Sequence, residues 1–377
     1  MQYRFFGSTN EKISLLGFGC MRFQTIDNKD NQIDEELAIK QLRYAIDNGV
    51  NYIDTAYPYH GGESEKLVGK ALKDGYREKV KLATKLPSWL IKSREDMDRI
   101  LDEQLEKLQT DQIDFYLLHT LNKKFWKNLT DNNVFDFLEK AVKDGKIKYV
   151  GFSFHDELSL FKEIVDAYDW DFCQIQYNYL DEEYQAGKEG LKYARDRGLG
   201  IVIMEPLRGG SLTKNIPEDV RKIWDKADKK RTPAEWALKF VFNHPEVDVV
   251  LSGMNEMEHI KENMRVATVT TPKSLTKKEA QLINEVKELY KSKIKVNCTS
   301  CRYCVPCPKK IAIPECFSLY NEAFMFNKVF AKNKYHRYVD EENRASNCIE
   351  CGICEEKCPQ HIDIRKKLKE VVNTFGE

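Results

Sequence analysis

The chain has 377 residues, 42% hydrophobic and 32% charged, and its 60 basic side chains balance 60 acidic ones. That length suits one large α/β barrel with about 100 residues to spare, and the balance excludes a broadly basic nucleic-acid binder and an acidic disordered chain. No apolar run approaches the ~18–20 residues of a membrane span, and MQYRFFGSTNEKIS lacks the apolar core of a secretory signal, so a cytoplasmic protein with no nucleic-acid or membrane partner is expected.

The opening segment YRFFGSTNEKISLLG reads as a hairpin ahead of the first strand. Short apolar runs then recur: ISLLGFG (13–19), YIDTA (52–56), VKLATK (80–85), IDFYLLH (113–119), KYVGFS (148–153), FCQIQYN (172–178), GIVIME (200–205) and VDVVLSG (247–253). They are rich in β-branched, Leu and aromatic residues, as strands buried on both faces are. Amphipathic segments separate them, such as EELAIKQLRYAIDNG (35–49), REDMDRILDEQLEKLQ (94–109) and NNVFDFLEKAVKDGK (132–146). Regular βα alternation implies a parallel sheet with helices outside, and eight units suit a closed barrel. The fold class expected is therefore α/β, a (β/α)₈ TIM barrel over 1–273, joined by a long polar helix at 274–294 to a small, mainly helical, cysteine-rich domain over 295–377.

The last part follows from the cysteines. Cys20 and Cys173 are the two in residues 1–294, whereas 295–377 hold nine. In a reducing compartment such density points to metal rather than disulfides.

Within the barrel, Asp54 falls near the end of strand two, Tyr59 follows in the loop, Lys85 closes strand three and His119 closes strand four. In such barrels the C-terminal strand ends face the active site. Each residue alone has an ordinary reading, as a helix cap, a snorkelling lysine or a packed structural histidine. Together they form a proton-transfer set. A phenol near pKa 10 is a poor acid. A neighbouring ammonium is expected to lower that pKa, a carboxylate to hold the ammonium, and an imidazole to orient a carbonyl. Such a set protonates a carbonyl as a hydride arrives.

The segment GVNYIDTAYPYHGGESEKLVGKAL resembles the aldo-keto reductase signature, and Lys85 in LATKL with His119 in YLLHT completes that family's catalytic tetrad. The resemblance covers about 1–270. It implies a barrel that binds NAD(P)H without a Rossmann fold, and no GxGxxG occurs here. It makes Tyr59 the acid, with Lys85 and Asp54 tuning it and His119 polarising a small carbonyl or alcohol substrate. It places Ser153 (in GFSFHD, where Phe154 and His155 stand at the family's Asn) and Gln174 on the carboxamide. Met204 takes the place of an aromatic that stacks on nicotinamide. Gly209 and Gly210 approach the pyrophosphate, and Gly253, Glu262 and Asn263 lie at the adenine end, with NADH and NADPH both open. Trp89, Phe125 and Trp126 are either walls for an apolar carbonyl or loop anchors.

The tail carries Cys298-x₂-Cys301-x₂-Cys304-x₂-Cys307-Pro308 and Cys348-x₂-Cys351-x₂-Cys354-x₃-Cys358-Pro359. Three cysteines at i, i+3 and i+6 wrap one cubane while the fourth reaches the other cluster. Cluster one then takes Cys298, Cys301, Cys304 and Cys358, and cluster two takes Cys348, Cys351, Cys354 and Cys307. The alternative, zinc, usually takes CxxC pairs set apart. The segment IPECFSLYNEAFMFNKVFAKN between the motifs looks helical, with Cys316 a buried core thiol. The tail resembles the α-helical two-cluster modules of fumarate reductase-type subunits. Two [4Fe-4S] clusters are expected, for relay to a redox partner protein, for scaffolding a lid, or for redox sensing. A second functional expectation is a redox-sensing nucleotide-binding regulator with little turnover; a third is an electron carrier with an inert barrel.

Overall fold

The computed structural model describes residues 1–298, 300 and 302–376. Two short antiparallel strands come first, β1 (Tyr3–Phe5) and β2 (Lys12–Ser14). Eight parallel strands then close a barrel: β3 (Leu16–Gly19), β4 (Tyr52–Asp54), β5 (Lys81–Leu86), β6 (Ile113–Leu121), β7 (Ile147–Phe154), β8 (Phe172–Gln176), β9 (Gly200–Met204) and β10 (Val249–Ser252). β10 pairs with both β9 and β3, which completes the ring. The run 13–19 thus divides between the hairpin and the barrel at Leu15. Helices follow the strands, and their ends are set by local chemistry. Asp34 accepts the Leu37 N–H at the start of helix Glu35–Asp47, Ser93 and Asp96 form a reciprocal cap on helix Arg94–Leu108, and Thr232 caps helix Pro233–Phe242. Each cap satisfies N–H groups that the helix leaves open.

The hairpin side of the barrel is plugged by Phe6. Its ring is fully buried and meets Phe115 at 4.9 Å and Phe172 at 5.5 Å between centroids. Gly200 leaves the room this needs, since a Cβ there would sit 2.9 Å from the Phe6 ring. Gly7, at φ +52, passes so close that its Cβ would lie 2.3 Å from the Gly200 nitrogen. Asp248 ties this end together, accepting from Arg195 at 2.9 Å and from the Ile201 N–H at 2.9 Å.

The chain forms two compact units. One comprises Met1–Leu212 and Arg231–Thr276; the other comprises Thr213–Lys230 and Lys277–Glu377. The second is helical, with Glu218–Trp224, Lys277–Ser292, Ile313–Met325, Lys328–Tyr338 and Ile364–Phe375 as its main helices. Its core gathers Cys316, Phe317, Tyr320, Tyr335, Val371 and Phe375. Among the described residues no helix is long and apolar enough to cross a membrane.

Candidate active site and cluster sites

Asp54, Lys85 and His119 sit on neighbouring strands at or near their C-terminal ends. Lys85 is 0% exposed and Asp54 2%. The Lys85 ammonium donates to both Asp54 carboxylate oxygens at 2.7 Å and to the Thr55 carbonyl at 2.8 Å. All three of its donors are therefore used. Burial pushes the Asp54 carboxyl above its ordinary value while Lys85 pulls it back. Tyr59 lies in the tight turn Tyr59–Gly62 after β4. The ammonium sits 5.3 Å from its ring centroid, and the His119 ring stands edge-on at 6.2 Å.

The expectation of an acidified phenol is not what the geometry gives. Tyr59 is held well above pKa 10, first by burial, then by the charge of Asp54 and smaller effects of Cys20 and Glu205, against Arg22. Burial disfavours the phenolate, and the nearby Asp54 carboxylate adds to that effect. His119 moves the other way. Burial, then the charge of Lys85, lowers it well below 6.5, so the imidazole is neutral. Its Nδ1 is buried and makes no hydrogen bond. Trp89 lies 5.3 Å from the His119 ring and 6.3 Å from Phe125, while Trp126 turns away to donate to Glu163.

Ser153 and Gln174 are register neighbours on β7 and β8. Ser153 Oγ accepts the Thr120 N–H at 2.7 Å. Gln174 Nε2 lies 3.5 Å from Met204 Sδ, and its Oε1 is buried without a partner. Gly209 and Gly210 follow β9 with φ of 62° and 90°. Gly253 follows β10, and Asn263 donates to Ser252 Oγ beside it at 3.1 Å. Glu262 instead accepts from Thr232.

In the second unit, Cys307, Cys348, Cys351 and Cys354 line one shallow recess, which Cys304 also touches. Cys298, Cys304 and Cys358 line a second. Cys301 lies outside the described residues. Among the described residues no three His, Cys, Asp or Glu side chains are gathered closely enough for one metal ion. The thiols instead gather in two groups, one around Cys307, Cys348, Cys351 and Cys354 and one around Cys298 and Cys358, with Cys304 between them. Ile311, Ile313 and Leu368 give the first recess an apolar lining, the kind of shell that tunes a metal centre.

The aldo/keto reductase family model matches residues 15–288. The chain belongs to the aldo/keto reductase family. A 4Fe-4S dicluster domain matches residues 297–362, so this reductase is fused to an iron–sulfur domain. It is similar to the oxidoreductase YrpG of Bacillus subtilis (strain 168), at 28% identity over 76% of this chain and 96% of that protein. It is also similar to the L-galactose dehydrogenase of Arabidopsis thaliana, at 27% identity over 73% of this chain and 90% of that one. Among solved structures, the holo form of aldo-keto reductase AKR11C1 from Bacillus halodurans superposes with a TM-score of 0.64 at 28% identity, covering 76% of this chain and 96% of that one.

Two residues of this aldo/keto reductase escape a reading by residue type. The Arg22 side chain packs its stem against Gly253, where a Cβ would meet it at 3.2 Å, and reaches to 3.9 Å from Glu205. His60, directly after Tyr59, is buried and bonded through both ring nitrogens. The available signal was positional: Arg22 lies three residues past β3, and His60 interrupts a turn otherwise completed by two glycines.

Proposed function

We propose that this aldo/keto reductase interconverts small aldehydes or ketones and their alcohols with NADH or NADPH, and that its cysteine-rich unit holds two [4Fe-4S] clusters. The observation that carries the reading is the buried Asp54–Lys85 pair set against Tyr59 and a neutral His119 whose Nδ1 is unpartnered. Bound NAD(P)H supplies a hydride to the carbonyl carbon. Tyr59 gives its phenolic proton to the carbonyl oxygen, which becomes the alcohol hydroxyl. The raised pKa keeps the phenol protonated until negative charge builds on that oxygen. Lys85, held by Asp54, stabilises the phenolate left behind. His119 orients the carbonyl.

For the cofactor, the open Gln174 Oε1 and the Ser153 hydroxyl suit a carboxamide, and the Met204 thioether packs on an aromatic ring. Gly209 and Gly210 approach the pyrophosphate, and Gly253, Glu262 and Asn263 border the adenine end. Cys298, Cys301, Cys304 and Cys358 hold one cluster; Cys307, Cys348, Cys351 and Cys354 hold the other. Each cluster supplies one-electron capacity. Cys351 is exposed, which supports electron exchange with a redox partner protein.

Tyr59→Phe tests the reduction chemistry. General acid catalysis contributes about 10²–10⁴ in rate, so kcat for benzaldehyde should fall by that factor with NAD(P)H binding retained. Full turnover in the variant would exclude Tyr59 as the acid. The cluster reading is tested by EPR of anaerobic, dithionite-reduced protein freed of excess reductant. Loss of the signal on adding NAD⁺ or NADP⁺, with matching NAD(P)H formation, would wire the clusters to the nicotinamide site. A persistent signal beside normal carbonyl reduction would leave the clusters as scaffold, sensor or relay to a partner protein.

A further inference from the structure

His60 carries a backbone shape that glycine favours. Its φ is +54°, and Gly61 and Gly62 follow at 63° and 96°, so three successive residues run left-handed. A non-glycine residue there costs about 1–2 kcal/mol and persists only where the surroundings hold it. The ring does the holding, and it is 4% exposed. Its Nε2 accepts the Phe23 N–H at 3.1 Å, and its Nδ1 lies 2.8 Å from the Asp30 carbonyl oxygen. A backbone N–H can only donate and a carbonyl can only accept. The two contacts therefore fix a neutral ring with its proton on Nδ1.

Both partners belong to the loop between β3 and helix Glu35–Asp47. The Phe23 ring lies 5.8 Å from the His60 ring and stacks on Phe18 of β3 at 6.2 Å. This loop also carries Arg22 to Gly253 and Glu205. One imidazole thus joins the turn that bears the phenol to the loop that borders it. A core histidine would need only to be satisfied. This one spends both nitrogens on the backbone of a single loop 30 and 37 residues away in sequence.

We propose that His60 is a positioning residue for Tyr59: by holding the Phe23 N–H and the Asp30 carbonyl it locks the 20–33 loop onto the Tyr59–Gly62 turn and so sets the phenol between Lys85 and His119. The proposal rests on the reading of Tyr59 as the proton donor. A misplacement of about 1 Å at a reacting group can cost 10²-fold.

The test compares His60→Gly, His60→Asn and His60→Gln with wild type. Glycine suits the positive φ and removes both bonds. Asparagine also tolerates that φ and reaches only the Asp30 side. Glutamine places an acceptor near the Nε2 position. With benzaldehyde and NADPH, the Gly and Asn variants should lose about 10- to 100-fold in kcat with KM changed less than about twofold. The Gln variant should recover most of the loss. Amide exchange at Phe23, which needs no turnover, should be fast in the Gly and Asn variants and protected in wild type and Gln. A freely exchanging Phe23 amide with wild-type kcat overturns the positioning role. So does equal loss in Gly and Gln while Gln keeps Phe23 protected. Undiminished turnover in Tyr59→Phe would instead strike the proposed function, leaving the exchange result to report on the latch by itself.

Discussion

Replacing Lys85 by methionine keeps the length of the side chain and removes its charge. The ammonium is fully enclosed and gives two of its three hydrogen bonds to Asp54. Removing one partner of a buried pair leaves the other charge uncompensated, a loss of about 3–5 kcal/mol. Removing both, in Lys85→Met with Asp54→Asn, should return most of it, with a coupling of about 2–3 kcal/mol across the four-variant cycle. The pH dependence has a definite sign. Asp54 is already raised by burial, and loss of Lys85 raises it further. A carboxyl with a folded pKa above its unfolded value of about 3.9 binds its proton more tightly when folded. Its stabilising effect is full below the unfolded pKa and lost as pH rises through the folded one. The single variant should therefore fall further behind wild type as pH increases. Urea unfolding followed by tryptophan fluorescence suits the measurement. Four of the five tryptophans lie in the barrel unit and only Trp224 in the cysteine-bearing one, so most of the signal reports on the barrel. A single variant within about 1 kcal/mol of wild type, or a double variant no better than the single, would refute the argument.

The pH profile of carbonyl reduction should be flat from neutrality to beyond pH 10, because the Tyr59 phenol is pushed up and must lose its proton before the acid is lost; an alkaline fall with a midpoint near 8 would contradict it. Asp248, raised to about 6 by burial, should make the barrel lose stability as pH rises from about 4 to 6, and urea titrations should show a flatter pH slope in Asp248→Asn. Cys351→Ser should lower bound iron from about eight to about four per chain. Cys316→Ala, a change at a fully buried core thiol, should leave iron content intact and cost about 1 kcal/mol of stability; equal iron loss in both would undo the cluster assignment.

Much of the barrel was legible because its signals are local and repeated. Runs such as IDFYLLH admit a buried strand, and the segments between them bury one helical face, as in Glu35–Asp47. The positions of Asp54, Lys85 and His119 followed from where those runs stop. The direction of the Tyr59 shift did not, because residue types do not tell how deeply the phenol is enclosed or that Asp54 lies beside it. The bond from Phe23 to His60 was likewise hidden, since it joins two turns 37 residues apart and depends on a backbone shape. The split of the segment 313–333 into helices ending at Met325 and beginning at Lys328 was also unmarked, with Asn327 as the cap that starts the second.

The unit that carries the cysteines is discontinuous in the chain, and this has a consequence for synthesis. Helix Glu218–Trp224 packs with helix Lys277–Ser292, and Val220 and Trp224 are buried in the finished protein. A ribosome adding ~5–20 residues per second completes Trp224 roughly 3–10 s before it reaches Lys277. Over that interval the short helix has no partner helix, and its apolar side is open to chaperones or to other nascent chains. Cys358 emerges later still, so a cluster that uses it can be completed only after all the barrel strands have been made. A chain ending at residue 276 would contain every barrel strand and still leave Val220 and Trp224 without the helix they pack on.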